Sequence, residues 1–105
     1  MTKPQAPIDV SLDRVDEGHF KIRGVLNFQT VPSVWQKSQQ LFRGCDSLAI
    51  DFAEVTHSNS AGLALLTEWL RLARTNNQTI VFHHIPTQMQ EIAQVCGVAQ
   101  DLPIR

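Results

Sequence analysis

Ser47-Leu48-Ala49-Ile50-Asp51-Phe52 is followed, after Ala53 and Glu54, by Val55-Thr56-His57-Ser58-Asn59-Ser60 and then by Ala61-Gly62-Leu63-Ala64-Leu65-Leu66. The first six residues are compact and mostly apolar, of strand length, and suit a central strand covered on both faces. The next six are mostly polar and read as a turn. Apolar helical periodicity then begins abruptly at Ala61, so Asn59 or Ser60 is the natural N-cap. A strand, a polar turn and a helix start in this order leave backbone N–H groups and the positive end of a helix dipole facing outward.

On a helix from Ala61 to about Asn76, Leu63, Leu66, Leu70 and Ala73 form one stripe, and Leu65, Trp69 and Leu72 form a second beside it. About half the circumference is then apolar, more than the arc of about 100° with which a surface helix sits on a sheet. That excess makes Leu65 and Trp69 candidate anchors for a partner, because Trp is enriched at interface hot spots. Trp is found in cores as well, and burial of Trp69 inside the domain is the reading preferred over partner contact.

Upstream, apolar residues alternate at Ile8, Val10 and Leu12 and again at Phe20, Ile22 and Leu26, which predicts two strands joined by a turn at Asp16-Glu17-Gly18. Val34, Trp35, Ser38, Leu41 and Phe42 recur at helical spacing, predicting a helix from Pro32 to Arg43. Downstream, Thr79 to His83 reads as a strand, and Thr87 caps a last helix running to Gly97. A short final strand is expected at Leu102-Pro103-Ile104. The fold class is therefore α/β: a mixed, mostly parallel sheet of about four to five strands, flanked by three to four helices. Residues 8–105 form one domain, and 1–7, with two prolines and little apolar content, are expected to be a flexible leader.

The 105 residues carry a formal net charge of -1, so there is no basic field for a nucleic acid. Apolar runs are too short for a membrane span and the start lacks a secretory core, which places the chain in the cytosol as an expectation. Cys45 and Cys96 belong to no C-x-x-C or Cys/His cluster, and they are read as reduced packing residues. No G-x-S-x-G elbow, H-E-x-x-H helix or P-loop occurs, so neither an enzyme nor a cofactor or metal is expected. His57, His83 and His84 are taken as surface or strand-end residues, and Glu68 with Arg71 as a solvated pair.

Ala49-Ile50-Asp51-Phe52, Val55 and Asn59-Ser60-Ala61-Gly62-Leu63-Ala64-Leu65-Leu66 together resemble the STAS domain family. Within it, Gly24 to Pro32 and Gly62 to Arg74 are similar to the MlaB-like branch, the STAS subunits of phospholipid-transporting ABC systems in Gram-negative bacteria. The resemblance implies a non-catalytic subunit that binds the cytoplasmic, MlaF-like ATPase and supports outer-membrane lipid asymmetry. It would lie peripheral to the inner membrane through that partner. The partner-binding residues would be Asn59, Ser60, Ala61, Gly62, Leu63, Leu65 and Trp69. The alternative is an anti-sigma factor antagonist that binds a serine kinase and is phosphorylated at Ser60. The family's turn normally reads Asp-Ser or Asp-Thr. Asn59 keeps the capping geometry but loses that negative charge, which weakens the case for phosphorylation and leaves docking untouched.

Overall fold

The computed structural model describes residues 9–105, so the expected leader at 1–7 and the strand start at Ile8 lie outside the described residues. β1 (Val10–Asp16) and β2 (His19–Leu26) form an antiparallel hairpin. β3 (Ser47–Ser58) pairs parallel with β2, and β4 (Thr79–His83) pairs parallel with β3, giving the order β1-β2-β3-β4. Three helices make the crossovers and the close: α1 (Val31–Leu41), α2 (Ser60–Thr75) and α3 (Thr87–Val95). The mixed, mostly parallel α/β arrangement expected from the alternation of patterns is thus the one observed.

Each strand buries alternate residues, Leu12 in β1, Phe20, Ile22 and Leu26 in β2, Leu48, Ile50 and Phe52 in β3, and Ile80 and Phe82 in β4. These face the helices. The alternate set, including Lys21, Arg23, Ala49, Asp51, Val81 and His83, is partly or fully exposed. Among the described residues the sheet is therefore covered on one face only, which corrects the expectation of a doubly covered β3. Ala49 and Asp51 are small and charged respectively, and in β3 they mark the wet face.

β3 also runs farther than its apolar run suggested. It reaches Ser58 because the β2 edge continues beside it, pairing Gly24 with Val55 and Leu26 with Ser58, and this ladder overrides the polar composition of 55–58. Two register shifts on β2 accompany that extension, and Gly24 sits there with φ +98°, where the Val25 N–H donates to the Asp9 carbonyl at 2.7 Å. Thr87 does not cap α3. Pro86 occupies the N-cap position without a side-chain bond. At the end of the chain a 3₁₀ turn, Ala99–Asp101, precedes a single parallel bridge between Ile104 and Phe82, in place of a full strand.

Trp69 of α2 is fully buried at the centre of the core. Its ring centroid lies 5.4 Å from Phe42, 6.3 Å from Phe52 and 6.5 Å from Phe82. Its indole N–H donates to the Ser38 hydroxyl at 2.8 Å, and Ser38 in turn donates to the Trp35 carbonyl at 2.7 Å. A buried indole needs such an acceptor. Ser38→Ala will leave the indole N–H buried and unpaired, costing about 1–3 kcal/mol in urea denaturation; a change under about 0.5 kcal/mol, the size of an ordinary surface truncation, would contradict this role.

Candidate functional site

β2 and β3 end side by side, and their carboxyl ends build the platform on which α2 begins. The Asn59 N–H donates to the Leu26 carbonyl at 3.1 Å, so the residue before α2 is tied to the last residue of β2. Asn59 then caps the helix: its side-chain oxygen accepts the Ala61 N–H at 2.8 Å from an extended backbone. Ser60 follows as the first helical residue and is exposed. Of the two N-cap candidates, Asn59 and Ser60, the cap is Asn59, and Ser60 is the first residue of the helix.

The remaining candidates separate into two groups. Ala61, Gly62 and Leu63 are buried against the strand ends, and Leu65 and Trp69 are 2 % and 0 % exposed. Leu65 and Trp69 therefore cannot anchor a partner on the folded chain. The second stripe is wide because α2 packs on the sheet and is flanked by both other helices, so its excess apolar arc is consumed within the domain. The accessible line on α2 is instead Ser60, Ala64, Thr67 and Arg71, spaced three or four residues apart. Leu70 and Leu72 are half-buried flanks of the same helix.

Gly62 has a packing reason. A Cβ there would collide with the Ser58 hydroxyl oxygen and stand 2.8 Å from the Met89 terminal methyl, and both residues are buried. Ser58 donates to the Asn59 carbonyl at 3.1 Å, and the Ser58 N–H meets the Gln88 side-chain oxygen at 3.5 Å. The first turn of α2, the end of β3 and the start of α3 thus close on one another with no room for a methyl group.

Phe28 is the residue at this end that the sequence pattern did not single out. It lies two positions beyond β2, in the turn leading to α1, and is 69 % exposed. Only its position between a strand and a helix start, outside both periodicities, could have flagged it.

A separate groove of about 440 Å³ runs across the open sheet face, lined by residues including His19, Lys21, Asp51, His83 and His84. His84, with a left-handed φ of 58°, places Nδ1 2.9 Å from an Asp51 carboxylate oxygen. Partial burial pushes the Asp51 carboxyl up. Hydrogen bonds from the Ala53 N–H and His84, with the charges of His84 and Lys21, outweigh it and hold the group below its ordinary value. Among the described residues no group of three or more His, Cys, Asp or Glu side chains is placed to hold a metal ion. Cys45 and Cys96 are free cysteines, and Arg71 lies 3.5 Å from Glu68 as an exposed pair.

The fold is that of known anti-sigma factor antagonists. The chain superposes on SpoIIAA in its unphosphorylated form with a TM-score of 0.69 at 18 % identity, covering 91 % of this chain and 87 % of that one. An anti-sigma factor antagonist from Mycobacterium paratuberculosis gives 0.72 at 16 % identity, with 95 % and 89 % covered. The Bacillus cell fate determinant SpoIIAA in the phosphorylated form gives 0.66 at 19 %, with 91 % and 90 % covered. At these identities the likeness is one of fold. Residues 10–104 match the family model described as Mlab, STAS domain, and the chain belongs to that family of STAS domains. No curated protein matches it in sequence. No helix of the described residues is long and apolar enough to cross a membrane.

Two outcomes follow from this geometry. Gly62→Ala will lower stability by about 1–3 kcal/mol, measured by urea denaturation, even though alanine gains about 1 kcal/mol of helix propensity over glycine. For Asp51 the folded-state carboxyl lies below its unfolded value, so its contribution is present above the ordinary carboxylate range and lost as pH falls through the lowered value. Thermal unfolding of wild type will therefore decline more on acidification below about pH 4 than that of Asp51→Asn.

Proposed function

We propose that this chain is a non-catalytic STAS subunit that docks on the cytoplasmic ATPase of a phospholipid-transporting, Mla-type ABC transporter. By supporting that ATPase's assembly or activity, it contributes to outer-membrane lipid asymmetry, and it is held at the inner membrane only through its partner. The observation that carries this reading is the exposed Ser60 at a helix start locked by Asn59, inside a domain matched from 10 to 104 by the MlaB-type family. Ser60, Ala64 and Thr67 offer small side chains along one line of α2, which lets a second protein approach the helix closely. Asn59 contributes the cap, and Ala61, Gly62 and Leu63 shape the tip from beneath.

A second reading draws on the likeness to anti-sigma factor antagonists, one of them solved in a phosphorylated form. In that reading a serine kinase anti-sigma factor is the partner, and Ser60 accepts phosphate at the positive end of α2. The chemistry of the turn favours docking, since Asn59 replaces the family's acid.

Ser60→Arg places a long charged side chain on the accessible tip while leaving the Asn59 cap in place. It is expected to abolish co-elution with the ATPase subunit of the same transport system, with stability changed by less than about 0.5 kcal/mol. Failure of the wild-type protein to bind that subunit removes the assignment. A phosphate added to Ser60 on incubation with a serine kinase anti-sigma factor and ATP, read by intact mass, would move the conclusion to the second reading.

A further inference from the structure

Among the described residues, three stretches at the carboxyl ends of β2 and β3 and the helix starts beside them carry no carboxylate, ammonium or guanidinium. Asp9 lies at their edge, its carbonyl accepting the Val25 N–H, and His57 stands beside Val25. No Asp, Glu, Lys or Arg occurs in 25–36, 55–67 or 85–90. These stretches meet in space: Leu26 pairs with Ser58, Asn59 bonds to Leu26, and Gln88 contacts Ser58. They contribute the end of β2 and start of α1, the end of β3 and start of α2, and the start of α3. The open sheet face differs sharply, carrying Lys21, Arg23, Asp51 and Glu54, with Glu54 paired to Lys21 at 3.0 Å. Depletion of charge around an exposed aromatic is the compositional mark of the centre of a protein interface, where desolvated charges would be costly.

Phe28 is that aromatic, and its turn is fixed before any partner arrives. The Asn27 side-chain oxygen accepts the Gln29 and Thr30 N–H groups at 2.8 and 3.0 Å. The Thr30 hydroxyl accepts the Asn27 N–H at 2.9 Å and donates to the Val25 carbonyl at 2.8 Å. Thr30 itself is buried. A ring held out on a backbone clamped from both sides loses little entropy when it is captured.

Resting on the docking function proposed above, we infer that Phe28 is the principal anchor of the interface, inserting into an apolar concavity on the ATPase subunit whose rim is uncharged. The occupant is a protein and not a lipid surface. A membrane-seeking patch combines apolar residues with Lys or Arg that meet anionic headgroups, and among the described residues the stretches 25–36, 55–67 and 85–90 at this end have none. Among the described residues the other large exposed apolar residues are Val15 at the hairpin end, Val95 at the end of α3 and Ile104, which bridges to Phe82 of β4.

The test measures binding of the full chain to the ATPase subunit by calorimetry, with thermal unfolding of each variant alongside. Phe28→Ala is expected to weaken binding by at least about thirtyfold, with unfolding temperature unchanged, and Phe28→Leu to retain most of the affinity. Loss of binding by Ser60→Arg with full affinity in Phe28→Ala overturns the anchor and leaves the docking function standing. Absence of binding by the wild type overturns both. A large drop in unfolding temperature for both Phe28 variants overturns the anchor by making the ring structural. Sedimentation with phosphatidylglycerol-containing vesicles that depends on Phe28, or a dimer in ultracentrifugation that Phe28→Ala abolishes, overturns it in favour of a lipid or a second copy.

Discussion

Trp69 sets the position of everything else. Its ring packs against Phe42, Phe52 and Phe82, and its N–H reaches Ser38 on α1. One side chain of α2 thus touches the sheet and the neighbouring helix at once. An apolar contact alone would let α2 slide along the sheet. The directional bond to Ser38 sets its register, because a displaced indole would strand a donor in the core. With α2 fixed there, its first turn must fall at the carboxyl ends of β2 and β3.

That placement explains why the candidate site is small and stiff. The Asn59 cap, the Asn59 bond to Leu26, and the close approach of Gly62 to Ser58 and Met89 hold the tip of α2 from three directions. What remains accessible is a line of small side chains and, across the strand end, the ring of Phe28. The backbone of this surface is preorganised, as the docking role proposed for it requires. The charged side chains are concentrated elsewhere, notably on the open sheet face, where ion pairs are exposed and of small energetic value.

The asymmetry of the sheet follows from the same core. All three helices lie on one face, so the residues at alternate positions of β3 and β4 can be Ala49, Asp51, Val81 and His83 without cost to the interior. The groove across that face gathers His83, His84 and Asp51 because β4 ends beside the middle of β3. Adjacent histidines in a regular strand would point apart. The left-handed backbone at His84 is what turns its ring back toward Asp51.

Local patterns determined the elements themselves. Period-two alternation in 10–26, helical periodicity in 31–42 and 61–73, and the abrupt change at Asn59-Ser60 are each set by residues near in sequence, so the α/β order and a helix start at Asn59 or Ser60 were legible there, while the choice of Asn59 as the cap was not. Tertiary structure alone decided which faces were satisfied. Leu65 and Trp69 look like surplus on a helical wheel, and they are buried because the other two helices and the sheet all pack on α2. The strand length of β3 depended on its β2 neighbour, and the single covered face depended on where three helices could fit. Phe28 became conspicuous only once the chain had folded, since whether an aromatic is core or contact is fixed by what stands opposite it in space.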